Sequence, residues 1–156
     1  MARLTRFLAL VFTLVVSLQV VIAQTLYQIQ NIRAGSRPIG VDPFRIPSLP
    51  VHAGGPLNRW TFEQTGTNRY LLHIQDAPPK VGVGHNDVVT ASLFEEREWE
   101  IVRGRQEHTF HIRLATTQIF PGRYWTAGNG PNDPVTIQVA EIPTESQTWS
   151  LNSADN

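Results

Sequence analysis

The chain contains no cysteine. Disulfide frameworks, thiolate metal sites and cysteine nucleophiles are therefore excluded. Lysine is nearly absent as well: Lys80 is the only one, and arginine supplies every other basic side chain. No Asn-x-Ser/Thr sequon occurs, so no N-linked glycan is expected. Neither sign of charge dominates, with 13 basic and 13 acidic residues. That balance gives no general pull toward nucleic acid or heparin-like polymers. No convincing long amphipathic helix can be traced, and no second apolar stretch follows the first one.

That first stretch reads as a secretory signal. Arg3 and Arg6 form a basic start, and an apolar run from Phe7 to Leu18 is broken only by Thr13 and Ser17. Val21-Ile22-Ala23 then places small residues where a signal peptidase reads. Cleavage after Ala23 is expected, so residues 1–23 are a signal peptide and residues 24–156 one extracellular, soluble, monomeric domain without membrane attachment. Loss of Arg3 and Arg6 lowers the basic count from 13 to 11 against 13 acids. A secreted domain without disulfides must rely on its core, which points to a compact, closed β architecture.

What is present is a series of short alternating or β-branched runs divided by Gly, Pro, Asn and Asp. Examples start at Leu26, Arg59, Tyr70, Trp99, Thr109 and Val135. Many short strands with frequent turn signals indicate a sandwich or barrel. The runs also repeat. Three segments open on an aromatic residue followed by alternating apolar positions: Tyr27-Gln-Ile, Tyr70-Leu-Leu and Phe110-His-Ile. Three close on Trp-x-apolar: Trp60-Thr-Phe, Trp99-Glu-Ile and Trp149-Ser-Leu. Trp125 is the one tryptophan left over. Three repeats of about four strands predict an all-β β-trefoil, a six-stranded barrel capped by three hairpins with threefold pseudo-symmetry.

At these residues the chain resembles a known group. The opening Tyr27-Gln-Ile-Gln-Asn-Ile followed by Gly40, then Trp60-Thr-Phe-Glu, Glu98-Trp99-Glu-Ile and Trp149-Ser-Leu, looks like the fungal β-trefoil protease inhibitors. The likeness covers about residues 25–151 and consists mostly of core and turn positions. It implies the trefoil fold and, more distantly, a relation to ricin-type trefoil lectins, whose Gln-x-Trp element Gln147-Thr-Trp149 matches.

Candidate catalytic sets are sparse. His108-x-x-His111 is the nearest approach to a metal pair, but strand positions three apart face opposite sides. Glu98 and Glu100 share one strand face opposite Trp99 and Ile101, which reads as a solvated edge. Gly82-x-Gly84 and Gly128-x-Gly130 lack the strand–loop–helix setting of a phosphate cradle. The expectation is a binding protein rather than an enzyme, with no metal and no cofactor.

The loops carry more information. Residues 42–50 read Asp-Pro-Phe-Arg-Ile-Pro-Ser-Leu-Pro. Pro43, Pro47 and Pro50 restrict this segment to extended or turned shapes. Arg45 stands near its middle between Phe44 and Ile46. A substrate-like inhibitor needs such a segment, already shaped for a protease groove. Its arginine would enter a pocket floored by an aspartate, as in trypsin-like proteases, with Arg45-Ile46 as the pseudo-scissile bond. The resemblance points the same way: one branch of these inhibitors presents a basic residue between the second and third strands. The expected partner is an extracellular protease, of the serine type. Alternative loops are Arg105-Gln106 and Lys80-Val81, and other loops of such inhibitors act on cysteine proteases. Arg37 is a poor candidate because Pro38 follows it. A second function class, sugar binding, would use Trp125 as a platform with Asn129, Asn132 and Asp133 nearby.

Overall fold

The computed structural model describes residues 25–33, 35–43, 47–116 and 120–154. Residues 1–23, expected to be a signal peptide, and the loop residues Phe44, Arg45 and Ile46 lie outside the described residues. In chain order the strands are β1 (Tyr27–Asn31), β2 (Ile39–Gly40), β3 (Ser48–Pro50), β4 (His52–Ala53), β5 (Trp60–Gly66), β6 (Arg69–Ile74) and β7 (Lys80–Val83). There follow β8 (Val89–Ser92), β9 (Trp99–Arg103), β10 (Thr109–Leu114), β11 (Gly122–Thr126), β12 (Thr136–Ala140) and β13 (Trp149–Ser153).

Six of these strands close on themselves. Going round, β1 pairs with β5, β5 with β6, β6 with β9, β9 with β10, β10 with β13, and β13 with β1, all antiparallel. Closure leaves the barrel no free edge. The ladders β2–β4, β7–β8 and β11–β12 form the three cap hairpins, and β3 adds to β8. The chain is a β-trefoil.

Period-two patterning explains the barrel strands. Ile29, Leu72 and Ile112, each two residues beyond the opening aromatic of its repeat, are 0–1 % exposed. Alternate side chains of a strand face opposite sides, so these three enter the core together. The closing residues Trp60, Trp99 and Trp149 are fully buried. Their indole N–H groups make equivalent bonds. Trp60 donates to the Ile39 carbonyl at 2.9 Å, Trp99 to Val81 at 3.3 Å and Trp149 to Trp125 at 3.2 Å. Each buried donor is thereby satisfied by the second strand of its own repeat.

The cap expresses the same rotation in backbone atoms. The Val51 N–H donates to the Val89 carbonyl at 2.9 Å, Val89 to Val135 at 2.9 Å, and Val135 back to Val51 at 2.7 Å. A closed cycle of three bonds among three buried valines is threefold symmetry written in hydrogen bonds. It also satisfies amides that no ladder pairs.

The fourth tryptophan has a structural place. Strand β11 puts Trp125 where β2 puts Ile39 and β7 puts Val81, as the three indole bonds show. Trp125 is fully buried and meets all three other indoles edge-to-face, with centroids 5.8 Å from Trp60, 5.1 Å from Trp99 and 6.4 Å from Trp149. Such tilted contacts align ring edges with ring faces and add to the burial of apolar area. This corrects the reading of Trp125 as a sugar platform: a ring with no exposed face cannot stack on a saccharide. Gln147 is likewise structural. It is buried, and its amide donates to Thr126 Oγ1 at 3.1 Å while its Oε1 accepts from the Thr144 N–H at 3.1 Å.

Candidate functional site

The segment between β2 and β3 leaves the barrel from a tightly built stem. Val41 and Leu57 exchange backbone bonds at 3.0 and 3.1 Å just beyond β2. Gly40 makes this approach possible: a Cβ there would sit 2.2 Å from the Leu57 carbonyl oxygen. Asp42 follows, with Oδ2 3.3 Å from His52 Nε2, close enough for an ion pair though not aligned as a hydrogen bond. Asp42 and Pro43 are exposed. On the far side, Pro47 is exposed, and its carbonyl accepts from the Leu93 N–H at 3.1 Å. Ser48 then pairs with Ser92 as β3 begins. Both stems of the loop are therefore held by the framework, while the described residues of the loop itself face solvent.

The alternative loops differ in geometry. Arg105 is exposed in the β9–β10 hairpin. That turn folds back on itself: the Gln106 carbonyl accepts from the Thr109 N–H at 3.3 Å and from Thr109 Oγ1 at 2.7 Å, and Gly104 N donates to Thr109 O at 2.7 Å. The backbone around Arg105 is a closed turn rather than an extended segment. Lys80 is not in a loop. It opens β7 opposite Ser92, and the next residue, Val81, is fully buried. This corrects its reading as a loop candidate, since a bond paired in a sheet and followed by a core residue cannot be laid into a protease groove.

Asn129 and Asp133 come together in an open cleft of about 330 Å³ between the β1–β2 and β11–β12 loops. Their side chains serve the loops themselves. Asp133 Oδ2 accepts from the N–H groups of Asn129 at 3.0 Å and Gly130 at 2.7 Å. Arg33 reaches across from the first repeat to the carbonyl of Gly128 at 2.6 Å and to Asn129 Oδ1 at 3.4 Å. Arg37 donates to the Pro131 carbonyl at 3.1 Å. The two arginines staple the first and third repeats together.

Glu98 and Glu100 are both paired. Glu98 accepts from Thr65 Oγ1 at 2.6 Å and lies 3.5 Å from Arg69. Glu100 takes two bonds from Arg113, at 2.9 and 2.8 Å. Burial opposes the charge on Arg113, but hydrogen bonds and charge from Glu100 and Tyr124 outweigh it and raise its pKa above the usual guanidinium value. His108 stands in the hairpin turn with φ of 57°, outside the strand. His111 is on β10, with Nδ1 2.9 Å from the Gln147 carbonyl.

One feature beside the loop had no signal in composition or repeat. Leu93 and Phe94 are 53 % and 74 % exposed, directly after β8.

No protein-family model matches the chain, and no curated protein matches it in sequence. Solved structures do match in fold. The chain superposes on Cry35Ab1 with a TM-score of 0.63 at 16% identity, covering 85% of this chain and 36% of that one; it thus spans about a third of that protein's length. A proteinase inhibitor from Coprinopsis cinerea gives a TM-score of 0.59 at 15% identity, covering 83% of this chain and 97% of that one. Arrowhead protease inhibitor A, double-headed and solved in complex with two trypsins, gives 0.58 at 14% identity, with 85% and 91% covered. All three comparisons concern the fold.

Proposed function

We propose that this chain is a secreted inhibitor of trypsin-like serine proteases that presents residues 43–47 as a substrate-like loop, after removal of residues 1–23. The observation that carries this reading is the pair of fixed stems. Val41 is bonded to Leu57 and Pro47 to Leu93, while Asp42, Pro43 and Pro47 face solvent. A loop closed by two anchored stems and restricted by two prolines has little freedom left to lose on binding, whereas a flexible peptide must give up much more.

Arg45 supplies the specificity. Its planar fork can make two parallel bonds to a pocket carboxylate, which a lysine cannot. Arg45-Ile46 is the bond this reading offers to the attacking serine. The inhibitor works by occupancy and needs neither metal nor cofactor. Two of the solved structures sharing the fold are protease inhibitors by name, one of them bound to trypsins, which supports a protease as the partner. The test is titration of trypsin with the secreted protein, followed by Arg45→Ala and Arg45→Glu. Stoichiometric inhibition that disappears in both variants is the expected result.

A further inference from the structure

The chain that leaves the loop at Pro47 has a neighbour tied to it. Ser48 of β3 pairs with Ser92 of β8, so the chain entering β3 and the chain leaving β8 lie at one end of that ladder. The Leu93 N–H bond to the Pro47 carbonyl, 3.1 Å, ties the two directly. The next residues turn on Ser92. Its Oγ accepts from the Phe94 N–H at 3.0 Å and the Glu95 N–H at 2.7 Å, and Ser92 itself is only 2 % exposed. Two residues on, the Arg97 N–H donates to the Val81 carbonyl at 3.1 Å. Gly82 underlies the turn so closely that a Cβ would sit 2.6 Å from the Glu95 carbonyl oxygen. The backbone of this turn is thus fixed at both ends.

On that fixed backbone the Phe94 ring stands 74 % exposed, the most exposed large apolar side chain among the described residues. A solvated phenyl ring adds nothing to the fold and costs hydration. In an interface, an aromatic ring on a rigid backbone has few rotamers to lose and a large area to bury.

We propose that Phe94, with Leu93 beside it, forms a second contact for the same protease that takes the 43–47 loop. The inference rests on that loop reading and adds a position to it. Pro47 lies on the C-terminal side of Arg45-Ile46, so Phe94 meets the part of the enzyme that receives the leaving half of a substrate. The partner is a trypsin-like protease with an apolar rim at that end of its cleft.

Inhibition constants for trypsin measured on the secreted protein, Phe94→Ala, Phe94→Trp and Arg45→Ala test it. Loss of a central aromatic contact weakens binding by about 10- to 100-fold. That weakening is expected for Phe94→Ala, mainly through faster dissociation and with an unchanged melting temperature. Phe94→Trp stays within a few-fold of the unaltered protein. A Phe94→Ala constant within about twofold of the unaltered protein, with Arg45→Ala inactive, overturns the second contact and leaves the loop reading standing. Absence of inhibition by the unaltered protein overturns both.

Discussion

The indole N–H of Trp149 donates to the backbone carbonyl of Trp125 at 3.2 Å. The same bond joins Trp60 to Ile39 and Trp99 to Val81. Trp125 is therefore the third repeat's version of a position that is aliphatic in the other two, and its larger ring fills the space between the three closing indoles. Replacing Trp125 by alanine removes that filling. The expected loss is about 3–5 kcal/mol of unfolding free energy, the range for deleting a fully buried large aromatic. Urea denaturation measures it. Trp125→Leu, closer to the residues of the other repeats, is expected to cost less.

The valine cycle makes a prediction without mutation. The amides of Val51, Val89 and Val135 are bonded to one another and their side chains are buried. They should exchange with deuterium only on global unfolding, with protection equal to that of the barrel amides. Native-state exchange read by NMR checks this. Exchange of these three amides well ahead of the barrel would show that the cap opens by itself.

At the base of the loop, Gly40 leaves no room for a side chain, because a Cβ would lie 2.2 Å from the Leu57 oxygen. Gly40→Ala must push the stem apart. Overpacking of this kind costs about 1–3 kcal/mol, and thermal unfolding will register it. If the stem presents the loop, trypsin inhibition weakens in the same variant by more than the folded fraction accounts for.

The Asp42–His52 contact sits one residue above that stem, with Asp42 largely exposed. Surface pairs contribute under about 1 kcal/mol to stability. Asp42→Ala should therefore leave the melting temperature nearly unchanged. It should weaken inhibition by about 3- to 5-fold if the pair helps to order the loop, the factor that corresponds to less than 1 kcal/mol. In the protonated state of His52 the pair is ionic, and the effect then shrinks at high salt as the pair is screened.

Much of the fold is legible in the residues because the barrel strands are long enough to show a period. Ile29, Leu72 and Ile112, and Trp60, Trp99 and Trp149, recur at matched places and are buried in matched surroundings. The cap is harder to read. Strands β2, β3 and β4 have two or three residues each, too few to alternate, and the valine cycle is made of backbone atoms that carry no sequence mark. Trp125 escapes the repeat because its counterparts are Ile39 and Val81, which share its burial but not its aromaticity. Lys80 misleads because Pro78-Pro79 reads as a loop, whereas β7 starts on the very next residue. Phe94 escapes because an exposed aromatic in a polar stretch follows no period. Its position depends on the Ser92 turn and on the Leu93 bond to Pro47, neither of which is written in the order of residues.

The central claim is that Arg45 enters the primary pocket of a trypsin-like protease. Tight-binding titration of trypsin with residues 24–156 and with the Arg45→Glu variant tests this most directly. The account predicts one-to-one inhibition by the first and none by the second, at equal melting temperatures. Full inhibition by Arg45→Glu would contradict it.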